Sequence, residues 1–145
     1  MSLEADNAGI YALVFELADD ITVEVGALGE QTFEAGVYCY VGSAKQHLRQ
    51  RIERHFRRDK STHWHIDYLT THPAYLPRRA LLFELDEWTE CGLSRHISEC
   101  DRVSAPVVAL GASDCEAGCK THLWCTEDLT ELEALEPSRV EHADR

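Results

Sequence analysis

Neither lysine nor arginine occurs in the first 44 positions of this 145-residue chain. Lysine is scarce throughout, with 3 residues against 11 arginines, and Asn7 is the only asparagine. The net charge is −12. An acidic, lysine-poor chain suits a cytoplasm of high ionic strength, where surface carboxylates keep a protein hydrated. Near molar salt the Debye length falls to about 3 Å, which removes long-range attraction to a polyanion. Binding to phosphate then has to rest on close, directional contacts, which arginine makes better than lysine.

Long hydrophobic runs are also missing. No apolar stretch approaches a membrane span, and the first residues, MSLEADNAG, lack the basic and apolar regions of a signal peptide. A soluble, cytoplasmic protein with no membrane partner is expected. Six cysteines (Cys39, Cys91, Cys100, Cys115, Cys119 and Cys125) would permit three disulfides, but that setting favours free thiols or a metal. The length suffices for one domain with its own core.

Against this acidic background the basic residues are bunched. Lys45, Arg49, Arg51, Arg54, Arg57, Arg58 and Lys60 make up half of the 14 basic side chains and fall within sixteen positions. They follow GVYCYVG, a strand-like run from Gly36 ending in a glycine at position 42. Leu48, Ile52 and Phe56 recur every four residues, which predicts a helix with a buried stripe. Arg51 and His55 flank that stripe one turn apart, and Arg49, Arg54 and Arg57 take more exposed positions. A cationic helix on an acidic protein calls for an anionic partner.

Gly9 to Leu17 and Ile21 to Val25 read as strands, joined by an Asp19-Asp20 turn. Short connections to Gly36–Val41 favour an antiparallel meander. His63 to Leu69 is expected to open a short helix, Arg79 to Leu85 and Pro106 to Leu110 to be strands, and Thr89 to cap a helix beginning at Glu90. Residues 111–124 read as irregular. Glu127 to Leu135 has helical composition, and the chain from Pro137 onward is expected to fray.

Gly9-Ile10-Tyr11 in the first strand, Tyr40-Val41-Gly42 at the end of the third, Arg51 nine residues later and an acidic helix beyond together resemble the GIY-YIG nuclease superfamily. The likeness covers roughly residues 8–100. The stretches HWHIDYL and SDC…C…HLW are similar to a small archaeal branch of it. The resemblance implies an α+β fold, a small three-stranded antiparallel sheet flanked by helices, with a short C-terminal extension. One domain would occupy residues 8–126, its core ending near 100 and a Cys/His-containing extension running over 101–126; residues 127–145 would be an acidic tail.

The activity implied is metal-dependent endonuclease cleavage of DNA, in repair or recombination. Tyr11 and Tyr40 match the tyrosines that flank the attacking water. Arg51 matches the arginine on the scissile phosphate, His55 a position held by tyrosine or histidine, and Glu90 the single carboxylate for Mg²⁺ or Mn²⁺. Lys45, Arg49, Arg54, Arg57 and Arg58 would bind nucleic acid. One cation on one carboxylate suits this reaction, because Mg²⁺ is a Lewis acid that keeps most of its waters. A tyrosine accepts a proton only if its pKa, about 10 in solution, is lowered. The repair members place a lysine after the YVG glycine for this purpose. Here Ser43 stands there, so either Lys45 substitutes or His55 is the base. The same departure keeps open a non-catalytic nucleic-acid-binding module.

Two further groups have metal-like spacing. His63 and His65 bracket Trp64, with Asp67 placed to orient an imidazole. Cys115, Cys119 and His122 form C-x3-C-x2-H, and Cys91, Cys100 or Cys125 would complete a tetrahedral structural Zn²⁺ site. A zinc-stabilised, protein-binding domain is the weaker third reading.

Overall fold

Nine consecutive residues of β1, Gly9–Leu17, form the middle of the protein. Eight of the nine are buried, so the strand is covered on both faces rather than on one. The computed structural model describes residues 8–44, 46–57, 60, 66–84, 89–99, 103–104, 122–126, 137 and 139–142. β1 pairs antiparallel with β4 (Gly36–Ala44) on one side and β5 (Tyr75–Phe83) on the other. β6 (Val103–Ser104), β7 (Leu123–Thr126) and β8 (Arg139–His142) complete a six-stranded sheet in the order β6-β7-β4-β1-β5-β8.

The architecture is α+β, as expected, but the sheet is larger than three strands. β2 (Ile21–Glu24) does not join it. It pairs with β3 (Glu30–Phe33) as a separate hairpin around a single 3₁₀ turn, Gly26–Leu28. The inward faces of that hairpin, Ile21, Val25 and Phe33, pack on the main core instead. β5 begins at Tyr75, earlier than its composition suggests, because Pro77 is accommodated at a register shift. Val14 faces Arg79 and Phe15 faces Pro77, which leaves Arg78 as the extra residue. A proline without an N–H is tolerated at such an irregularity. Arg139–His142, expected to fray, instead pairs with residues 79–82 as an edge strand. Residues 106–121 and 127–136, with the strand and helix expected there, lie outside the described residues.

Strand alternation divides the core into two layers. Tyr11, Leu13, Phe15 and Leu17 of β1 and Tyr38 and Tyr40 of β4 face helices α1 (Leu48–Phe56) and α2 (Asp67–Thr70). Ile10, Ala12, Val14, Cys39 and Val41 face helix α3 (Glu90–Ser98). Thr89 caps α3 as expected, its Oγ1 accepting from Gly92 N at 2.9 Å. Among the described residues no helix is long and apolar enough to cross a membrane.

Candidate functional site

The two motif glycines matter for what they leave out. A Cβ at Gly9 would come within 3.0 Å of Leu48 Cδ2, so the absent side chain lets α1 settle onto the start of β1. Gly42 lies opposite Tyr11 in the β1–β4 register. A Cβ there would run into the Tyr11 hydroxyl and ring. The tyrosine ring therefore lies across the glycine, which directs its hydroxyl towards α1.

There Tyr11 Oη lies 2.8 Å from His55 Nε2. His55 was expected on the helix flank but is fully buried. Its ring sits 6.0 Å from that of Tyr40, edge-on. Tyr75 Oη donates to the His55 carbonyl at 2.7 Å and ties this turn of α1 to β5. Burial, assisted by the charge on Lys60, lowers the His55 pKa to about 3, so the imidazole is neutral at physiological pH. Burial also pushes both phenols up, and the negative charge of Glu90 adds to this; Arg51 opposes it without reversing it. Arg51 thus does not offset burial, and both phenols stand above their ordinary value.

Arg51 projects from α1 to the end of β4, where its guanidinium donates to the Ser43 carbonyl at 2.7 Å. From the same residue, Ser43 Oγ donates to Glu90 Oε1 at 2.6 Å. Glu90 Oε2 lies 2.7 Å from His122 Nδ1. Burial alone would raise the Glu90 pKa. Hydrogen bonds from His122 and Ser43, with the charge of Arg51, outweigh it and hold the carboxyl below its ordinary value. Glu90 is thus an ionised carboxylate, and 31% of its side-chain surface is exposed.

All five residues that the resemblance singles out therefore gather at one end of the sheet. Tyr11, Tyr40 and His55 lie on the α1 side, Glu90 on the α3 side, and Arg51 bridges them through Ser43. Sequence reasoning missed the roles of Ser43 and His122. Ser43 stood out only as a missing lysine. His122 was grouped with the cysteines.

Its true position has a geometric cause. Trp124 Nε1 donates to Ser94 Oγ at 3.0 Å and pins β7 to α3. His122 is two residues before Trp124 on the same strand face, and Glu90 is one helical turn before Ser94. Two strand residues span about 6.6 Å and four helical residues about 6 Å, so the second contact follows from the first.

The members of the basic cluster differ in exposure. Arg54, expected to bind nucleic acid, makes a bidentate ion pair with buried Asp67, with both N–O distances at 2.9 Å. Asp67 thus holds a guanidinium, and the imidazoles it was expected to orient, those of His63 and His65, lie outside the described residues. Arg49 and Arg57 are exposed. Lys60 Nζ donates to the Arg54 carbonyl at 2.7 Å, at the C-terminal end of α1. Lys45, Arg58, His63 and His65 lie outside the described residues.

Of the expected zinc ligands, Cys91 Sγ lies 3.8 Å from His122 Nε2. Cys125 is three residues from His122, on the opposite face of β7, and packs into the other core layer. It does not complete that pair. Cys39 is buried, and Cys91 and Cys125 are half-buried. Cys100, Cys115 and Cys119 lie outside the described residues, and among those described no three His, Cys, Asp or Glu side chains gather as a metal-ligand set.

The model of a family described as Domain of unknown function DUF123 matches residues 10–143. The chain belongs to that family. The match takes in every described strand of the DUF123 sheet apart from the first residue of β1, Gly9, and with it the other site residues described above. No curated protein and no solved structure matches the chain.

Proposed function

We propose that this DUF123 protein is a GIY-YIG-type, metal-dependent endonuclease that hydrolyses phosphodiester bonds in DNA. One observation carries the reading. Two buried phenols, a neutral imidazole, a guanidinium and an ionised carboxylate converge at the end of one short sheet.

Each group has work to do in such a reaction. Arg51 offers planar donors matched to a phosphate oxygen, and the developing charge strengthens that contact. Tyr11 and His55 form a proton path. The attacking water gives its proton to the Tyr11 oxygen as the Tyr11 proton passes to His55 Nε2. A buried imidazole gains a proton reluctantly, but an incoming phosphate anion favours the imidazolium. Tyr40, in the same buried layer, orients the water from its other side. Glu90 fits a hard divalent cation, being ionised, oxygen-donating and partly open to solvent. Mg²⁺ or Mn²⁺ held there would supply Lewis-acid stabilisation of the phosphoryl and leaving oxygens. Arg49 on α1 and Arg57 just past its end lie exposed and would meet the flanking backbone.

The test is incubation of the purified chain in high salt with branched, damaged and single-stranded DNAs plus Mn²⁺. Cleavage by the wild type, lost in Arg51→Ala and Glu90→Ala, is the expected result. Binding without cleavage under any divalent metal would make the protein a nucleic-acid-binding module instead. Cleavage retained in both variants would refute the site.

A further inference from the structure

Both oxygens of Glu90 are held by the protein. Oε1 receives the Ser43 hydroxyl at 2.6 Å, and Oε2 faces His122 Nδ1 at 2.7 Å. The two holders come from different strands, β4 and the start of β7, and neither is neighbour to α3 in sequence. The Nδ1 edge of the ring is in direct contact with the carboxylate, and a proton on Nδ1 makes that contact favourable. On the far side of the ring, Nε2 faces the Cys91 thiol at 3.8 Å. His122 is almost wholly buried, and its carbonyl accepts from Val41 N at 2.8 Å, so the ring's base is fixed to β4 as well.

A carboxylate at the start of a helix, left to itself, samples several rotamers about its flexible stem. Each oxygen has two lone-pair directions. The Ser43 bond fills one on Oε1 and the close approach of His122 Nδ1 confines Oε2, which together fix where the open lone pairs point. We infer that Ser43 and His122 are positioning residues that clamp Glu90 so that its remaining lone pairs present one fixed site to a divalent cation.

The inference rests on Glu90 being the metal carboxylate of the proposed nuclease. It also gives Ser43 a positive function. Where the lysine of the repair members would bring a charge, serine brings a neutral donor to the carboxylate. Hydrogen-bonding partners of a metal ligand typically account for 10–100-fold in metal affinity.

The experiment is Mn²⁺ titration of the full chain followed by electron paramagnetic resonance of the free ion. Glu90→Gln defines which Mn²⁺ is bound at this site on an acidic protein. Ser43→Ala and His122→Ala are each expected to weaken that Mn²⁺ by about 10–100-fold. His122→Asn retains a side-chain N–H donor and is expected to recover much of the affinity. His122 is buried, so its variants are accompanied by melting curves, and half-buried Ser43 supplies the variant least tied to folding.

Unchanged Mn²⁺ affinity in Ser43→Ala and in folded His122→Ala overturns the clamp. So does a wild type with no Glu90-dependent Mn²⁺ at all. The two proposals fail separately. A clamp-dependent Mn²⁺ site on a protein that cuts no nucleic acid leaves the clamp standing without the nuclease. Cleavage by a protein whose clamp variants bind Mn²⁺ normally leaves the nuclease standing without the clamp.

Discussion

The two ends of the site differ in their access to water. Tyr11, Tyr40 and His55 are sealed between the sheet and α1, with at most 8% of any of them exposed. Glu90 stands at the opening turn of α3 with about a third of its side chain in solvent. Burial keeps the first end neutral: phenols protonated, imidazole unprotonated. Directed hydrogen bonds keep the second end ionised despite partial burial. Moving a proton along a defined path suits a dry, neutral end. Holding a hydrated cation suits a charged end open to water. Arg51 lies between them and is bonded to the backbone of the residue whose side chain holds Glu90.

The largest effect comes from removing the charged end. Glu90→Gln should slow Mn²⁺-supported cleavage by about 10³-fold or more, which is about 4 kcal/mol of transition-state stabilisation. Its melting temperature should move little, because the residue is partly exposed. Next, Asp67→Ala leaves Arg54 beneath α1 without its carboxylate. Breaking a buried pair in this way costs about 3–5 kcal/mol of folding stability, measurable by urea unfolding. The contrast with Glu90→Gln separates a charge that holds the fold from one free to act.

Gly42→Ala acts on the dry end through packing alone. Its methyl group would displace the Tyr11 ring, at a cost of about 1–3 kcal/mol in stability, with cleavage falling further than stability explains. Unfolding measurements paired with single-turnover cleavage check this.

The neutral imidazole also has a pH signature. The folded His55 pKa, about 3, lies below the unfolded value of about 6.5, so the unfolded chain takes up the proton first. The stability it contributes is complete above pH 6.5 and diminishes as pH falls from there towards 3. Between pH 7 and pH 5 the wild type should lose about 2 kcal/mol more than His55→Gln. Equal losses would mean that the imidazole is not held neutral. The smallest effects belong to Arg49→Ala and Arg57→Ala. Each should make the slope of duplex DNA affinity against salt shallower by about 0.9 for every phosphate the arginine neutralises, without changing which structure is cut.

How much of this could be read in advance depended on sequence distance. β1, the body of β4, the stripe of α1 and the Thr89 cap all rest on periodicity or on neighbours within one turn. Each could be read from its own residues. The small hairpin was read as part of the meander because alternation marks a strand without naming its partner. His55 looked like a flank residue because helical spacing shows an angle and not what fills the space beyond it. Tyr11, 44 positions away, fills that space. Arg54 looked available for the same reason, since Asp67 lies on another helix. His122 was the hardest case. Its C-x3-C-x2-H spacing suggested a metal ligand; Cys115 and Cys119 lie outside the described residues, and the partner that is described, Glu90, is 32 positions earlier. The one advance hint was the matched spacing of His122 and Trp124 on β7 with Glu90 and Ser94 on α3, and that is visible only once β7 is known to cross α3.

The most direct test asks whether the dry end and the charged end serve one reaction. Single-turnover cleavage of one DNA substrate with Mn²⁺ would be measured for Tyr11→Phe, for Glu90→Gln and for the double variant. Groups acting as a unit should give large single losses and a double variant little slower than the worse single one. Near-wild-type cleavage in either single variant would contradict the account.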